Sequence, residues 1–228
     1  MERKPDWLPG FPVQIYCNSG ERLKAVMISI RPEWCQKIVT GQKTVEVRKT
    51  RPKMDTPFRC YIYCTQSVDM LWILKERERS LHPDKIADVF KAAKCGGAYR
   101  GNGKIIGEFV CDDILERIVR VGGSCEPQKY CICDWNMDCT PLDTLLADAC
   151  LTKDELEKYL DGGVGYGWHI SDFKLYDKPL PLNTFKKWFR ECAYSDLGFA
   201  IPDCEKCTDS GCFVQKPPQS WFFVEELQ

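Results

Sequence analysis

From Lys24 to Ile30 the chain reads KAVMISI, an apolar, β-branched run closed by Arg31-Pro32, and a strand is expected there. Pro32 suits a first helical turn. The pairs Trp34/Ile38 and Cys35/Val39 stack at i, i+4 before Gly41, which predicts a short helix over 32–40. Thr44 to Arg48 (TVEVR) then alternates with period two: Val45 and Val47 fall on one side, and Thr44, Glu46 and Arg48 on the other, toward water or a site. Further strands are expected at 59–65 (RCYIYCT), 104–111 (KIIGEFVC), 166–176 (YGWHISDFKLY) and 221–225 (WFFVE). In the second of these, Glu108 shares a face with Ile106 and Val110, unusual surroundings for a carboxylate.

Between these segments, 68–95 reads as helical and charged, with KERER at 75–79 alternating in sign, and 96–103 (GGAYRGNG) as a basic loop. The loop's glycines do not open a helix after a strand, which excludes a dinucleotide or P-loop reading. Thr152-Lys-Asp-Glu155 is a capping box flanked by Leu151 and Leu156, so a helix is expected over 153–160, ending before Gly162-Gly163. Asn183 is a candidate cap for a short helix through Arg190. Strands interrupted by short helices, without regular βαβ alternation, predict an α+β or mostly β architecture.

Composition changes this picture little. The chain is 44% apolar and 29% charged, which excludes disorder as an explanation, and its apolar runs are far too short to span a bilayer. A soluble cytoplasmic protein without membrane partners is expected, and fifteen cysteines there read as free thiols or metal ligands rather than a disulfide framework. Net charge is −1, so the molecule as a whole has no basic footprint. Locally, residues 43–59 hold six basic side chains (Lys43, Arg48, Lys49, Arg51, Lys53, Arg59) against two acidic ones (Glu46, Asp55), a patch that can contact phosphates or simply be solvated surface.

Several residues and groups of residues carry candidate chemistry. A lysine, a carboxylate and a guanidinium as close as Lys43, Glu46 and Arg48 can hydrogen-bond a base edge and its phosphate; the plainer alternative is an exposed ion pair. Glu108, if buried, needs a basic partner, for which Lys43 and Arg48 are candidates. Trp168, Tyr166 and His169 offer stacking surfaces beside Ser171 and Asp172, against core packing for Trp168 and a structural role for His169. Among the cysteines, Cys204-x2-Cys207-x4-Cys212 with Cys192 upstream has the shape of a structural zinc site, the alternative being reduced thiols in a loop. Cys125, Cys131, Cys133 and Cys139 have poorer spacing for the same role. No other cofactor is required.

Four segments in order, ISIRPEWCQK (28–37), GQKTVEVRKTRP (41–52), YGWHISDFKLYDKP (166–179) and PPQSWFFVEE (217–226), resemble the ASCH domain proteins common in bacteria and their phages. The resemblance implies a PUA-like, partly open β-barrel with flanking helices, whose relatives bind RNA or modified nucleotides in a cleft beside the strand after Gly41. Residues 1–23 would then be an N-terminal extension and 24–228 the domain, with cysteine-rich insertions at about 68–101, 122–150 and 191–216. The expected ligand-binding residues are Lys43, Glu46, Arg48, Glu108, Trp168, His169 and Ser171.

One branch of the family resembles an N4-acetylcytidine amidohydrolase using a lysine and a threonine of this turn, and ribonuclease activity occurs in others. Lys43 matches that lysine and would be the catalytic residue of an enzyme. The threonine's position is Glu46, which cannot inherit a hydroxyl nucleophile's role. Recognition is therefore the expected function, with an enzyme in the same cleft, or a protein-interaction adaptor using the cysteine-rich insertions, as the rivals.

Overall fold

The computed structural model describes residues 23–81, 85–88, 96–121, 129–133, 139–140, 142–188 and 213–227. Residues 1–22 of the expected N-terminal extension and the four cysteines Cys192, Cys204, Cys207 and Cys212 lie outside the described residues, as does Cys125.

KAVMISI forms β1 (Lys24–Ile30), and Pro32 opens α1 (Pro32–Val39) as its first helical residue. The helix ends in a turn where Gly41 takes φ 72°, a left-handed conformation that a side chain would strain. β2 (Val45–Arg48) and β3 (Phe58–Cys64) follow. The charged stretch after them is not the single helix that alternation in sign suggests. Its described residues hold β4 (Trp72–Leu74), the short helix α2 (Glu76–Leu81) and β5 (Ala87–Asp88), and the glycine-rich loop contributes β6 (Ala98–Arg100). Ile73 and Ala87 are buried in this three-stranded sheet, so packing outweighs the helical propensity of the charges.

β7 (Lys104–Cys111) matches expectation and runs through Asp112 and Asp113 into β8 (Ile114–Val121), which pairs with β9 (Lys129–Cys133) and then β10 (Cys139–Thr140). α3 (Asp143–Ala149) was not legible from its sequence, whereas α4 (Lys153–Leu160) starts at the expected capping box: the Glu155 N–H donates to Thr152 Oγ1 and the Thr152 N–H to Glu155 Oε2. The strand expected at 166–176 is two strands, β11 (Gly165–His169) and β12 (Ser171–Leu180), turning at Ile170. Beyond Leu180, one 3-10 turn at Leu182–Thr184 stands where a longer helix was expected. Lys186 and Lys187 then make bridges to Phe213 and Val224, so the backbone is spent on extended pairing. WFFVE forms β13 (Trp221–Glu225).

The described residues form two five-stranded sheets, ordered β12-β7-β3-β1-β13 and β10-β9-β8-β11-β2, with the three-stranded sheet β5-β4-β6 beside them. The architecture is mixed, mostly strand with few helices, and no ring of strands closes among the described residues. The large sheets share one core in which Val26, Ile28, Cys60, Ile62 and Phe109 of the first meet Ile114 and Trp168 of the second. A second cluster, on the far face of the second sheet, joins Val45, Val47 and Ile118 to Leu145 of α3 and Leu156 and Leu160 of α4. A third, on the far face of the first sheet, joins Met27, Tyr61, Ile105 and Val224 to Phe185 and Val214.

Two chain segments change sheets at one corner. β7 passes into β8 and β11 into β12 there, the His169 N–H donates to the Asp113 carbonyl, and His169 Nδ1 lies 2.6 Å from Asp112 Oδ1.

Candidate functional site

β2 is short and, among the described residues, pairs with β11 alone, in antiparallel register, with Glu46 opposite Trp168 and Arg48 opposite Tyr166. Directly opposed residues share a face, so Glu46, Arg48, Tyr166 and Trp168 project to one side, while Val45 and Val47 point into the cluster under α3 and α4. The alternation read from TVEVR is thus correct. Its polar side, however, is not open to water: every residue of β2 is buried.

The Gly41 turn brings Lys43 to the same place. Lys43 Nζ donates to the Ala149 carbonyl at 2.8 Å and lies 3.3 Å from Glu46 Oε2, and Arg48 Nη2 lies 3.0 Å from Glu46 Oε1. Arg48 Nη2 also donates to the Ser29 carbonyl at 2.5 Å. The three side chains are only 2%, 9% and 10% exposed, so this is a buried network rather than an exposed pair. Two cations share one carboxylate, leaving the cluster a net positive charge.

Aromatic side chains from distant segments gather around the cluster. The Lys43 ammonium lies 5.3 Å from the centroid of the Trp34 ring, within cation–π range. Trp168 is fully buried and packs edge-on to Phe58 and tilted against Trp221, both at 5.9 Å between centroids. Tyr159 of α4 is 40% exposed; partial burial pushes the phenol's pKa up, with the Arg48 charge pulling the other way. Trp34, Tyr159 and Trp221 were not expected at the site. Trp34 reads as a helix-face residue, and nothing local links positions 34, 159 and 221.

Two donors in this region are unused. Arg48 Nε and Trp168 Nε1 are both sealed from solvent and have no hydrogen-bond partner among the described residues. Their residues are diagonal neighbours on the β2–β11 pair, within reach of each other's long side chains. Each unpaired buried donor costs about 1–3 kcal/mol, which an acceptor arriving at that position would recover.

Glu108 does not join this group, contrary to expectation. A register shift between β3 and β7 near Ile62 and Tyr63 breaks the simple alternation. Ile106 and Phe109 consequently face the shared core, whereas Glu108 lies opposite Tyr61 near the third cluster. Its partners are neither Lys43 nor Arg48. Arg59 Nη1 pairs with Glu108 Oε1 at 2.5 Å, Tyr176 donates its hydroxyl to Oε2 at 2.5 Å, and Arg59 Nε pairs with Glu226 Oε1 at 2.6 Å. Gly107 accompanies the shift, for a Cβ there would stand 2.4 Å from the Lys174 carbonyl oxygen.

His169 and Ser171 sit at the sheet corner. Side chains alternate along β11, so His169 points away from the face that carries Trp168 and meets Asp112. Ser171 Oγ donates to the Val110 carbonyl at 2.9 Å. The His169 hydrogen bond, more than any other influence, holds Asp112 below the usual carboxylate range.

Among the described residues no group of three or more His, Cys, Asp or Glu side chains is placed to hold a metal, and no helix is long and apolar enough to cross a membrane. Cys139 and Cys133 are register partners on β10 and β9.

Residues 28–120 match the family model of the ASCH domain. That match spans 93 of the chain's 228 residues. The matched region contains the Gly41 turn, Lys43 and β2, while β11 and β13, which complete the site, lie beyond it. Among solved structures, the ASCH protein of Zymomonas mobilis is similar at 17% identity with a TM-score of 0.43, over 86% of this chain and 85% of that one. A tyrosine-to-phenylalanine variant of that protein gives 17% and 0.44, over 86% and 87%, and a serine-to-alanine variant gives the figures of the unaltered protein. No curated protein matches the sequence.

Proposed function

We propose that this ASCH domain, in a PUA-like, partly open barrel arrangement, recognises an unpaired base of RNA or a modified nucleotide at the Lys43–Glu46–Arg48 cluster. The observation that carries the reading is the pair of unused buried donors, Arg48 Nε and Trp168 Nε1, on one face of a positively charged, aromatic-bounded network. A base edge or a phosphate supplies the acceptors they lack, and the half-buried aromatic rings supply stacking worth about 1–3 kcal/mol per base. Both donors are sealed, so binding requires Trp34, Tyr159 or Trp221 to move aside. Lys43 and Glu46 act by holding Arg48 in position.

The test is binding of a fluorescent single-stranded RNA pool, and of nucleotides including N4-acetylcytidine, to the wild type, Arg48→Lys and Trp168→Phe. Each substitution removes one unused donor; phenylalanine also keeps most of the ring, avoiding the roughly 3–5 kcal/mol that truncating a buried tryptophan to alanine costs. Affinity is expected to fall about fivefold or more in each variant, the equivalent of losing one hydrogen bond of about 1 kcal/mol. Wild type that binds none of these probes, or variants that bind as tightly as wild type, would overturn the reading.

A further inference from the structure

The segment that leaves the site is built differently from the site. Arg48 is buried, but Lys49, Thr50, Arg51 and Lys53 are exposed. Between them Pro52 is buried, and Met54 packs against the shared core, so the loop alternates inward anchors with outward cations. Its start is also tied down at the site's aromatic rim. The Trp221 indole N–H donates to Thr50 Oγ1 at 3.0 Å, and Lys49 Nζ lies 5.5 Å from the Tyr159 ring centroid. Asp55 is the acidic residue of the stretch, and the chain as a whole carries a charge of −1, so three anchored cations together are a local departure.

Building on the base-recognition reading, we infer that the ligand is a single-stranded polynucleotide rather than a free nucleotide, with Lys49, Arg51 and Lys53 contacting the phosphates next to the recognised base. A base that enters a buried, aromatic-walled site must first leave any duplex, and a single strand offers it without the cost of unpairing. The four steps from Lys49 to Lys53 span at most about 13 Å, against roughly 3.4 Å of axis per nucleotide in a stacked strand. A loop of this length has room for more than one phosphate. Arginine and lysine on an anchored loop lose less freedom on binding than on a floppy one.

The experiment compares the wild type with Lys49→Gln/Arg51→Gln/Lys53→Gln, using a labelled random pool of single-stranded RNA about ten nucleotides long and the component nucleoside monophosphates, across a salt series. The pool is expected to bind the wild type more tightly than any monophosphate does. The triple variant should lose tenfold or more of its pool affinity, and its log–log salt slope should flatten by about 2, at roughly 0.7 per phosphate contact. Monophosphate binding should stay within twofold. Lys53→Glu, an exposed single change, serves if the triple variant does not fold, and should weaken pool binding alone. An unchanged pool affinity and slope, or a pool bound no tighter than monophosphate, overturns this inference and leaves the base site intact. Wild type that binds neither probe overturns both.

Discussion

Glu46 is the residue on which the site's architecture depends, and Glu46→Ala isolates its contribution. It is the carboxylate between Lys43 and Arg48, at 3.3 Å and 3.0 Å, with all three side chains at least nine-tenths buried. Removing one partner of a buried ion pair costs about 3–5 kcal/mol, because the remaining charge is left uncompensated. Here the lower end applies, since Lys43 keeps the Ala149 carbonyl and Arg48 keeps the Ser29 carbonyl. A loss of about 3 kcal/mol in a chain of this size lowers the melting midpoint by roughly 6–12 °C. Urea unfolding at neutral pH measures it, and Lys43→Met made singly and on the Glu46→Ala background completes a double-mutant cycle. Lys43→Met should cost less in the double variant, by roughly 0.5–3 kcal/mol, because the partner is already gone. If Glu46→Ala costs less than about 1 kcal/mol, the value for a solvated surface pair, the buried-network reasoning is wrong.

Glu108→Ala should destabilise by about 1–3 kcal/mol, since it leaves Tyr176 without its acceptor and Arg59 with Glu226 alone, while RNA binding by the folded variant stays unchanged. Loss of binding with unaltered stability would contradict the placement of Glu108 away from the site. Asp112 has a depressed pKa in the folded protein, so its contribution is present above the ordinary carboxylate value near 4 and fades as pH falls through the folded value. Asp112→Asn should therefore flatten the acid limb of a stability-against-pH curve and do little else to its shape; an acid limb identical to wild type refutes this. Burial pushes the thiols of Cys35 and Cys60 well above their ordinary range and that of Cys111 up to about 12, whereas Cys150 is half-exposed. Brief iodoacetamide treatment of the native protein, read by peptide mapping, should label Cys150 before those three, and prior labelling of any of them would count against the packing.

What the sequence alone determined was local. The capping box at Thr152–Glu155 fixes a helix start because both hydrogen bonds close within four residues. The period of TVEVR assigns Val45 and Val47 to one side and Glu46 and Arg48 to the other because strand geometry leaves no alternative. The Gly41 turn and Pro32 mark α1 by backbone stereochemistry. Which side of β2 is buried was not local, and the tertiary fold buries both: α3 and α4 cover one face, and the first sheet with Trp168 and Trp221 closes the other. Glu108 shows the same division. Its need for a basic partner is legible from its apolar neighbours, but a register shift within the sheet directed it to Arg59 and Tyr176 instead of the Lys43–Glu46–Arg48 cluster. Tyr159 and Trp221 lie more than a hundred positions from Lys43 and Arg48, and only the packing of sheets and helices brings them to the same region.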